Sequence, residues 1–219
     1  MLFVNLEEIK MRQHVNPLSK VFKDIEPIPH LKDIFNDHTK PLHLDIGCGS
    51  GNFLINLAKH NKNWNYIGLE IREKLVNKSK SKLKDETIDN LFFAFGNAEY
   101  LIEDCIGKFP KDIVSSVSFN FPDPWFKKKH HKRRIIRPQL IHKISQLMAN
   151  GGYISIKSDV EELFKYMDIT IIKSKFFITY IYQDREIFNS YNPIDLKTNR
   201  EKYILSNKQK VFEKLYKKI

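Results

Sequence analysis

LDIGCGSGN, residues 44–52, decides the fold class, because an apolar run ends here and a helical pattern begins. Glycines let the backbone turn tightly and approach a ligand, and the first turn of a helix offers free N–H donors. A P-loop would need a lysine followed by Ser or Thr, and a GxGxxG fingerprint would need glycine where Asn52 stands. The spacing Asp45-x-Gly47-x-Gly49-x-Gly51 therefore predicts a strand, a ligand-binding turn and a helix.

From residue 41 onward, apolar strand-like runs alternate with longer helical patterns. We predict strands at 42–46, 66–70, 91–95, 113–121, 152–158 and 176–182, and helices near 52–60, 72–84, 97–106, 138–149 and 160–173. Such alternation is typical of βαβ units, so the sequence predicts an α/β fold with a mostly parallel sheet and helices on both faces. The tail at 210–219 is predicted as a late strand, antiparallel to its neighbour.

Composition indicates one domain of 219 residues with an appended segment. Residues 1–38 are irregular and are predicted as an N-terminal arm, partly flexible, before a single domain at 39–219. The net charge of +11 suggests a polyanionic partner, either nucleic acid or an acidic membrane surface. No apolar run reaches the roughly 18 residues of a membrane span, and no secretory signal is visible, so a cytoplasmic location is expected.

Polar and acidic residues follow five of the predicted strands. They are Asp45, Glu70, Asn97, Asn120 with Asp123, and Ser158 with Asp159. In a doubly wound sheet the ligand lies outside the carboxyl ends of the strands, so these side chains predict a site at that edge. Glu70 can accept the ribose hydroxyls of an adenosine there; the alternative is an exposed acid that starts the helix at 72–84.

Several segments together resemble one known family. The glycine loop resembles motif I of the class I S-adenosylmethionine-dependent methyltransferases. The segments that narrow the resemblance are RQHVNP (12–17), YIGLE (66–70), FPDPWFKKKHHKRRI (121–135), KSD (157–159) and TNRE (198–201). With them the chain resembles the tRNA (guanine-N7-)-methyltransferases. The resemblance implies a Rossmann-like class I methyltransferase with a seven-stranded sheet, S-adenosylmethionine as methyl donor and tRNA as partner, acting as a monomer or weak homodimer on a guanine of the variable loop.

The same resemblance implies roles for individual residues. The implied cofactor-binding residues are Asp45, Gly47, Gly49, Gly51, Glu70, Asn97 and Asp123, and Asp123 is also the implied catalytic residue. The implied substrate-binding residues are Lys127, Asp159, Thr198 and Glu201, with Arg12, Gln13 and His14 in a tRNA-contacting arm. Four of these residues have structural alternatives: Asn97 as an N-cap, Asp159 as the N-cap of the helix at 160–173, and Thr198 with Glu201 as a capping box. Asn199 departs from the family pattern, where many members carry Glu.

The chemistry of guanine explains an acid between two prolines. N7 of guanine carries a lone pair and no proton, so its methylation needs no general base and gives a cationic base. Catalysis then depends on positioning and on electrostatic stabilisation of that charge. Asp123 can accept from guanine N1–H and the exocyclic amine, and Pro122 and Pro124 restrict the backbone that presents it.

A basic block follows this acid, and we expect it to neutralise phosphates. It comprises Lys127, Lys128, Lys129, Lys132, Arg133, Arg134 and Arg137. Trp125 or Phe126 could stack on a base, although packing against the helix at 138–149 is favoured. His130 and His131 have no partner ligands at metal spacing, so no metal is expected.

Two other classes of protein remain open from the sequence. One is an NAD-binding oxidoreductase, which would use the same crevice but lacks the third fingerprint glycine and a recognisable hydride-transfer acid or base. The other is a catalytically silent RNA-binding module, which would not need Asp45, Glu70 and Asp123 intact. An adenine amino-methyltransferase is a close neighbour of the favoured reaction, and the modified atom would separate the two.

Overall fold

The computed structural model describes residues 15–22, 26–84, 88–180, 190–192 and 194–219. Its strands are β1 (Leu42–Ile46), β2 (Asn65–Glu70), β3 (Leu91–Phe95), β4 (Val114–Asn120), β5 (Met148–Ser158), β6 (Phe177–Tyr180) and β7 (Phe212–Lys218). Its helices are α1 (Leu31–Ile34), α2 (Asn52–His60), α3 (Glu73–Lys84), α4 (Ala98–Cys105), α5 (Pro138–Leu147), α6 (Glu161–Lys173) and α7 (Asn199–Ser206).

The seven strands form one sheet in the order β3-β2-β1-β4-β5-β7-β6. Strands β1 to β5 pair in parallel, and β7 runs antiparallel between β5 and β6. The predicted α/β class, the mostly parallel sheet and the antiparallel tail strand are confirmed. The strand order reverses between β1 and β4, and a crevice for ligands opens at such a switch point.

Strand β1 shows how the sheet separates two cores. Leu42, Leu44 and Ile46 belong to one buried cluster, which also includes residues of α4, α5 and α6. The alternate residues His43 and Asp45 point to the opposite face, because successive side chains of a strand alternate. A second buried cluster, with residues of α2 and α3, lies on that face. The predicted helices on both faces are therefore confirmed.

Two elements differ from the sequence prediction. Strand β5 begins at Met148, whereas the prediction placed the helix end at 149 and the strand at 152. Its register against β4 shifts between Val114 and Ser116, and Gly151 has φ +80°, as expected for a glycine-containing bulge. The pair Gly151–Gly152 therefore lies inside a strand, not in a turn before it. Helix α7 was not predicted as a helix, apart from the capping alternative at Thr198.

The segment before β1 packs on the sheet domain. Ile28, Leu31 and Phe35 are buried in the larger core cluster, and the Ile28 amide donates to Asp104 Oδ2 at 2.9 Å. This part of the predicted arm at 1–38 thus behaves as part of the domain. Arg12, Gln13 and His14 lie outside the described residues, so their predicted contact with tRNA stays a prediction.

Candidate functional site

A cavity of about 310 Å³ opens at the carboxyl edge of the sheet, at the switch point between β1 and β4. Its lining includes the predicted residues Asp45, Gly47, Gly49, Glu70, Asn97 and Asp123. These come from four strand ends and from loops separated by up to about 80 residues in sequence. The expectation that polar strand ends converge on one site is therefore met for β1 to β4.

Asp45 is a deeply buried acid of the cavity, with 3% of its surface exposed. Its Oδ1 accepts hydrogen bonds from Ser118 Oγ at 2.6 Å and from Asn120 Nδ2 at 3.1 Å. Burial raises the pKa of Asp45 to about 6, and the charge of Glu70 adds to this, although the two hydrogen bonds act in the opposite direction. The protein therefore holds this carboxyl group in a fixed orientation beside the glycine loop.

His43 extends the hydrogen-bond chain behind Asp45. Its Nε2 lies 3.1 Å from Ser118 Oγ and its Nδ1 lies 3.0 Å from Ser116 Oγ. Ser118 gives its single hydroxyl proton to Asp45, so His43 must donate from Nε2 and accept at Nδ1 from Ser116. Complete burial lowers the pKa of His43 to about 3, so the ring stays neutral. The ring also stacks on Tyr191 at 4.4 Å.

The sequence pattern did not single out His43. His43 lies two residues before Asp45 in β1, so both side chains point to the same face of the sheet. In the pairing of β1 with β4, His43 lies opposite Ser116. The alternation rule for strands could have shown the shared face, but the serine partners become visible only when β1 and β4 are paired.

The three glycines of the loop have different environments. Gly47, Gly49 and Gly51 all have left-handed φ angles, of +86°, +59° and +71°. A Cβ atom at Gly47 or Gly49 would meet nothing within 4 Å, whereas at Gly51 it would lie 2.5 Å from Phe93 Cζ. Gly47 and Gly49 face the cavity, but Gly51 is required by the packing of α2 against the sheet. The predicted contact between Gly51 and the cofactor stays a prediction.

Glu70 is buried, not an exposed acid at the start of α3. Its Oε2 accepts from the Gly49 amide at 2.9 Å, which ties the end of β2 to the glycine loop. Arg72, which the sequence pattern did not reveal, donates to both carboxylate oxygens at 2.8 and 3.1 Å. Burial disfavours the charged guanidinium, but its contacts with Glu70 and the charge of Asp123 outweigh this and raise the pKa of Arg72. Arg72 therefore links the two acids electrostatically.

Asn97 has both of its amide functions in use. Its Oδ1 accepts from the Glu99 amide at 2.9 Å, which makes it the N-cap of α4. Its Nδ2 donates to the Pro17 carbonyl at 2.9 Å. The capping alternative is confirmed, and the segment around Pro17 covers this side of the cavity together with Val15. Phe22 of the same segment packs edge-on against Phe95, with ring centroids 6.3 Å apart.

The proline-framed loop after β4 is held in an unusual backbone conformation. Phe121 and Trp125 have φ angles of +51° and +48°, a region that non-glycine residues seldom adopt. Such strain persists only where the surroundings enforce it. Arg134 supplies part of that enforcement, because its Nε donates to the Pro124 carbonyl at 3.0 Å. Between these anchors, Asp123 lines the cavity.

The basic block divides into two groups. Lys127, Lys128, Lys129 and Lys132 are exposed, as the phosphate interpretation requires. The arginines differ: Arg133 and Arg137 are half-buried and line the cavity, and Arg137 forms an ion pair with Glu99.

For Arg134 the expected phosphate role is wrong. Its side chain is 3% exposed, donates to Glu162 Oε1 at 2.8 Å and lies 4.8 Å from the ring of Tyr166. A charge run in a sequence does not reveal which member turns inward.

The two aromatic residues of the loop also divide. Trp125 is half-buried, with the Arg133 guanidinium 5.1 Å from its ring and His130 in an edge contact at 5.8 Å. Phe126 is 68% exposed. The favoured expectation that Phe126 packs against α5 is therefore wrong.

Three of the four predicted substrate residues, Asp159, Thr198 and Glu201, lie around α7 and the end of β5. Asp159 forms an ion pair with Arg200, and Arg200 lines the cavity with Thr198. Thr198 accepts from the Glu201 amide at 3.1 Å as the N-cap of α7. Val160, not Asp159, is the N-cap of α6, so that alternative for Asp159 is wrong.

Glu201 does not complete the capping box with Thr198, because its side chain pairs with Lys157 instead. Its Oε1 accepts from Lys157 Nζ at 2.9 Å, and Lys157 also lies 3.2 Å from Glu213. Lys157 and Glu201 are only 6% and 5% exposed.

Lys127 is exposed at the start of a 3₁₀ turn that spans Lys128–Arg133. The substrate roles of Lys127, Asp159, Thr198 and Glu201 stay predictions.

The described part of the chain has neither a cluster of metal-ligating side chains nor a membrane-spanning helix. No three His, Cys, Asp or Glu side chains within it are grouped as a metal site would require. None of its helices combines the length and apolar character needed to cross a membrane.

Comparisons with known proteins identify the family to which this chain is similar. A family model described as "Putative methyltransferase" matches residues 39–214. A tRNA (guanine-N(7)-)-methyltransferase of Prochlorococcus marinus subsp. pastoris is 53% identical over 209 residues, which cover 95% of this chain and 100% of that protein. A protein of the same name from Prochlorococcus marinus strain MIT 9515 is 51% identical over 209 residues, with the same coverage of 95% and 100%.

Solved structures support the architecture. A protein described as an "antibiotic related Methyltransferase" superposes with a TM-score of 0.58 over 90% of this chain and 98% of its own. The two sequences are 17% identical, so this likeness concerns the fold.

Proposed function

The chain belongs to the family of the tRNA (guanine-N(7)-)-methyltransferases, and from that premise we propose that it methylates N7 of a guanine in the variable loop of tRNA. The observation that carries the proposal is the shared cavity. Asp123 of the proline-framed loop lines the same space as the glycine loop and Glu70. An NAD-binding oxidoreductase and a catalytically silent RNA-binding module have no comparable support.

The cavity fits S-adenosylmethionine as methyl donor. Gly47 and Gly49 leave open space where any side chain would begin, which lets a ligand approach the backbone closely. Asp45 and Glu70 present carboxylates suited to a ligand that carries an amino group and ribose hydroxyls. When bound, S-adenosylmethionine supplies an electrophilic methyl group on a sulfonium.

Two of the cofactor residues would have to exchange partners. The Glu70 carboxylate already accepts from Gly49 and Arg72, so ribose hydroxyls would share it with Arg72 or replace some of those contacts. The Asn97 Nδ2 group donates to the Pro17 carbonyl, so donation to an adenine edge requires that this hydrogen bond break. Asp45 needs no such exchange, since Oδ1 is held by Ser118 and Asn120 and the carboxyl group has a second oxygen.

The protein's part in the reaction is to position a base and to stabilise charge. Guanine N7 needs no proton removed, so no general base is required. The Asp123 carboxylate can accept from N1–H and the exocyclic amine and can stabilise the positive charge that develops on the ring. The backbone anchors at Phe121, Pro124 and Trp125 keep this carboxylate in place before the base arrives.

The surroundings of the cavity suit an RNA substrate. Lys127, Lys128, Lys129 and Lys132 are exposed beside the loop of Asp123 and can contact phosphates. Asp159, Thr198 and Glu201 are proposed on the substrate side, with Arg200 released from Asp159 when the base binds. We place the enzyme in the cytoplasm, as a monomer or weak homodimer.

The proposal is tested with unmodified tRNA and S-adenosylmethionine labelled on its methyl group. Digested product should contain labelled 7-methylguanosine, and Asp123→Asn should lower turnover by about 10²- to 10³-fold, the usual effect of removing one electrostatic stabiliser. Binding of tRNA by the variant, measured separately, should stay near that of the wild type, and its binding of S-adenosylmethionine measures the predicted contact of Asp123 with the cofactor. Label on adenine or on an exocyclic amine, or no transfer at all, would reject the proposed reaction.

A further inference from the structure

Phe126 is a large aromatic side chain on the outside of the protein. It is 68% exposed, although burial of a phenylalanine side chain normally stabilises a fold. It follows Asp123 by only three positions in the chain, so their Cα atoms lie at most about 11 Å apart. An exposed ring this close to the cavity is available to whatever the cavity binds.

The loop conformation is what directs Phe126 outward. The Pro124 carbonyl is fixed from inside by Arg134, and Trp125 then adopts a left-handed φ of +48°. Arg133 and His130 contact the ring of Trp125, so that ring serves the loop itself. Of the two adjacent aromatics, Phe126 is the exposed one.

The charge around Phe126 narrows the class of partner. Lys127, Lys128 and Lys129 follow it directly, and all three are exposed. A partner must therefore combine a negatively charged backbone with a flat apolar face. Unstacked nucleotides combine phosphates with aromatic bases, and basic grooves with exposed aromatics are the usual device for binding them.

We propose that Phe126 is a stacking platform for a base adjacent to the target guanine. This inference rests on the proposed function. A guanine that enters the cavity leaves the base stack of its loop, and its neighbour loses a stacking partner. The ring of Phe126 replaces that partner at the rim, while the lysines hold the flanking phosphates.

The test compares Phe126→Ala, Phe126→Leu and Phe126→Trp by direct tRNA binding and by steady-state methylation. Stacking on an aromatic ring contributes about 1–3 kcal/mol per base, so Ala and Leu should weaken tRNA binding about 5- to 150-fold. Trp should keep wild-type affinity, because it retains an aromatic face. Affinity for S-adenosylmethionine should not change, and Ile169→Ala, at an apolar residue 54% exposed on α6, serves as matched control.

Two further readouts distinguish stacking on Phe126 from an ionic contact with phosphate. The slope of binding against salt should be the same in Phe126→Ala as in wild type, because no charge is removed. In tRNA that carries 2-aminopurine beside the target guanine, fluorescence should rise on binding because stacking on the guanine is lost, and it should rise more with Phe126→Ala than with wild type, whose ring restacks the base.

Three results would overturn the inference. If Phe126→Ala binds tRNA with wild-type affinity, Phe126 is not a stacking platform. If Phe126→Leu and Phe126→Trp bind tRNA with equal affinity, the contact is apolar and does not involve stacking. Loss of binding to phosphatidylserine vesicles, with tRNA binding intact, would assign the ring to a membrane surface. These binding measurements do not need turnover, so a failure of the proposed methylation would be recognised separately, by the absence of 7-methylguanosine with wild type.

Discussion

The glycine-loop side and the rim of the same cavity are built in opposite ways. On the glycine-loop side, Asp45 and Glu70 are each 3% exposed and accept hydrogen bonds from neighbouring residues. At the rim, Phe126 is 68% exposed and four lysines of the basic block reach solvent. The first side is ordered by contacts within the fold, whereas the second presents exposed side chains to solvent.

This difference suggests where each half obtains its affinity. Buried polar groups that are already hydrogen-bonded keep their geometry, so a ligand there has little ordering to do. Exposed lysines lose rotamer freedom when they bind, and their contacts weaken with salt. We therefore expect substitutions on the first side to change stability or cofactor binding, and substitutions at the rim to change the response to tRNA and to salt.

The largest expected effect lies outside the cavity lining, at Lys157 near the end of β5. Lys157→Met should lower the free energy of unfolding by about 3–5 kcal/mol, because the buried Glu201 carboxylate would lose its cation, as would the partly exposed Glu213. Urea unfolding measures this. The control is Lys165→Met on α6, where the ion pair with Glu161 is 68% and 57% exposed and should contribute little. Equal losses in the two variants would show that burial at Lys157 does not matter.

A smaller effect should separate two glycines of the same loop. Gly51→Ala should destabilise the fold by about 2–4 kcal/mol, because left-handed strain adds to overpacking against Phe93 and Ser79. Gly49→Ala should cost only the strain, about 1–2 kcal/mol, but should weaken S-adenosylmethionine binding at least tenfold. Unfolding curves and calorimetric titration distinguish these outcomes. Similar stability losses would contradict the difference between a packed glycine and an open one.

His43 and Asp45, both buried, should contribute to the free energy of unfolding with opposite dependences on pH. The depressed pKa of His43 removes stability as pH falls from 6.5 towards 3, because only the unfolded state gains the proton. The raised pKa of Asp45 adds stability as pH falls from 6 towards 3.8, because the folded state binds the proton first. Between about pH 6 and pH 4 the two contributions oppose each other.

Replacing one of the two residues should therefore reveal the pH dependence that the other contributes to the free energy of unfolding. Relative to wild type, Asp45→Asn should lose about 1.4 kcal/mol of unfolding free energy per pH unit as pH falls through that range. His43→Asn should gain a similar amount per unit. Urea titrations at four pH values would measure both slopes, and parallel curves for all three proteins would mean that neither group titrates as its burial requires.

The smallest expected effect belongs to single lysines of the rim. Lys128→Gln should leave S-adenosylmethionine binding unchanged and reduce the slope of log K against log salt by about 0.7–0.9, which corresponds to one phosphate contact. Lys165→Gln carries the same charge change on α6 and should leave the slope unchanged. A slope that stays at the wild-type value in Lys128→Gln would remove this residue from the RNA contact.

The two sides also differ in how far the sequence predicts them. Strand β1 was predicted at its observed bounds, and Asp45, Glu70 and Asn97 reach the cavity because strand ends share one edge. His43 and Lys157 were missed, since their partners lie 44 to 75 residues away and depend on strand pairing and on the docking of α7. At the rim, two predictions are wrong. Arg134 is buried although it belongs to the basic block, and Phe126 is exposed although packing against α5 is the favoured expectation.

The position of β7 between β5 and β6 has a consequence for biosynthesis. The ribosome releases the amino-terminal strands first, so β1 to β5 can pair before residues 212–218 exist. At ~5–20 residues per second, about 60 residues separate the end of β5 from the end of β7, which is several seconds of elongation. During that time the outer edge of β5 is bare and open to wrong pairing. The glycine-loop side of the cavity can thus be complete on the nascent chain before α7 and the proposed substrate residues Thr198 and Glu201 have been made.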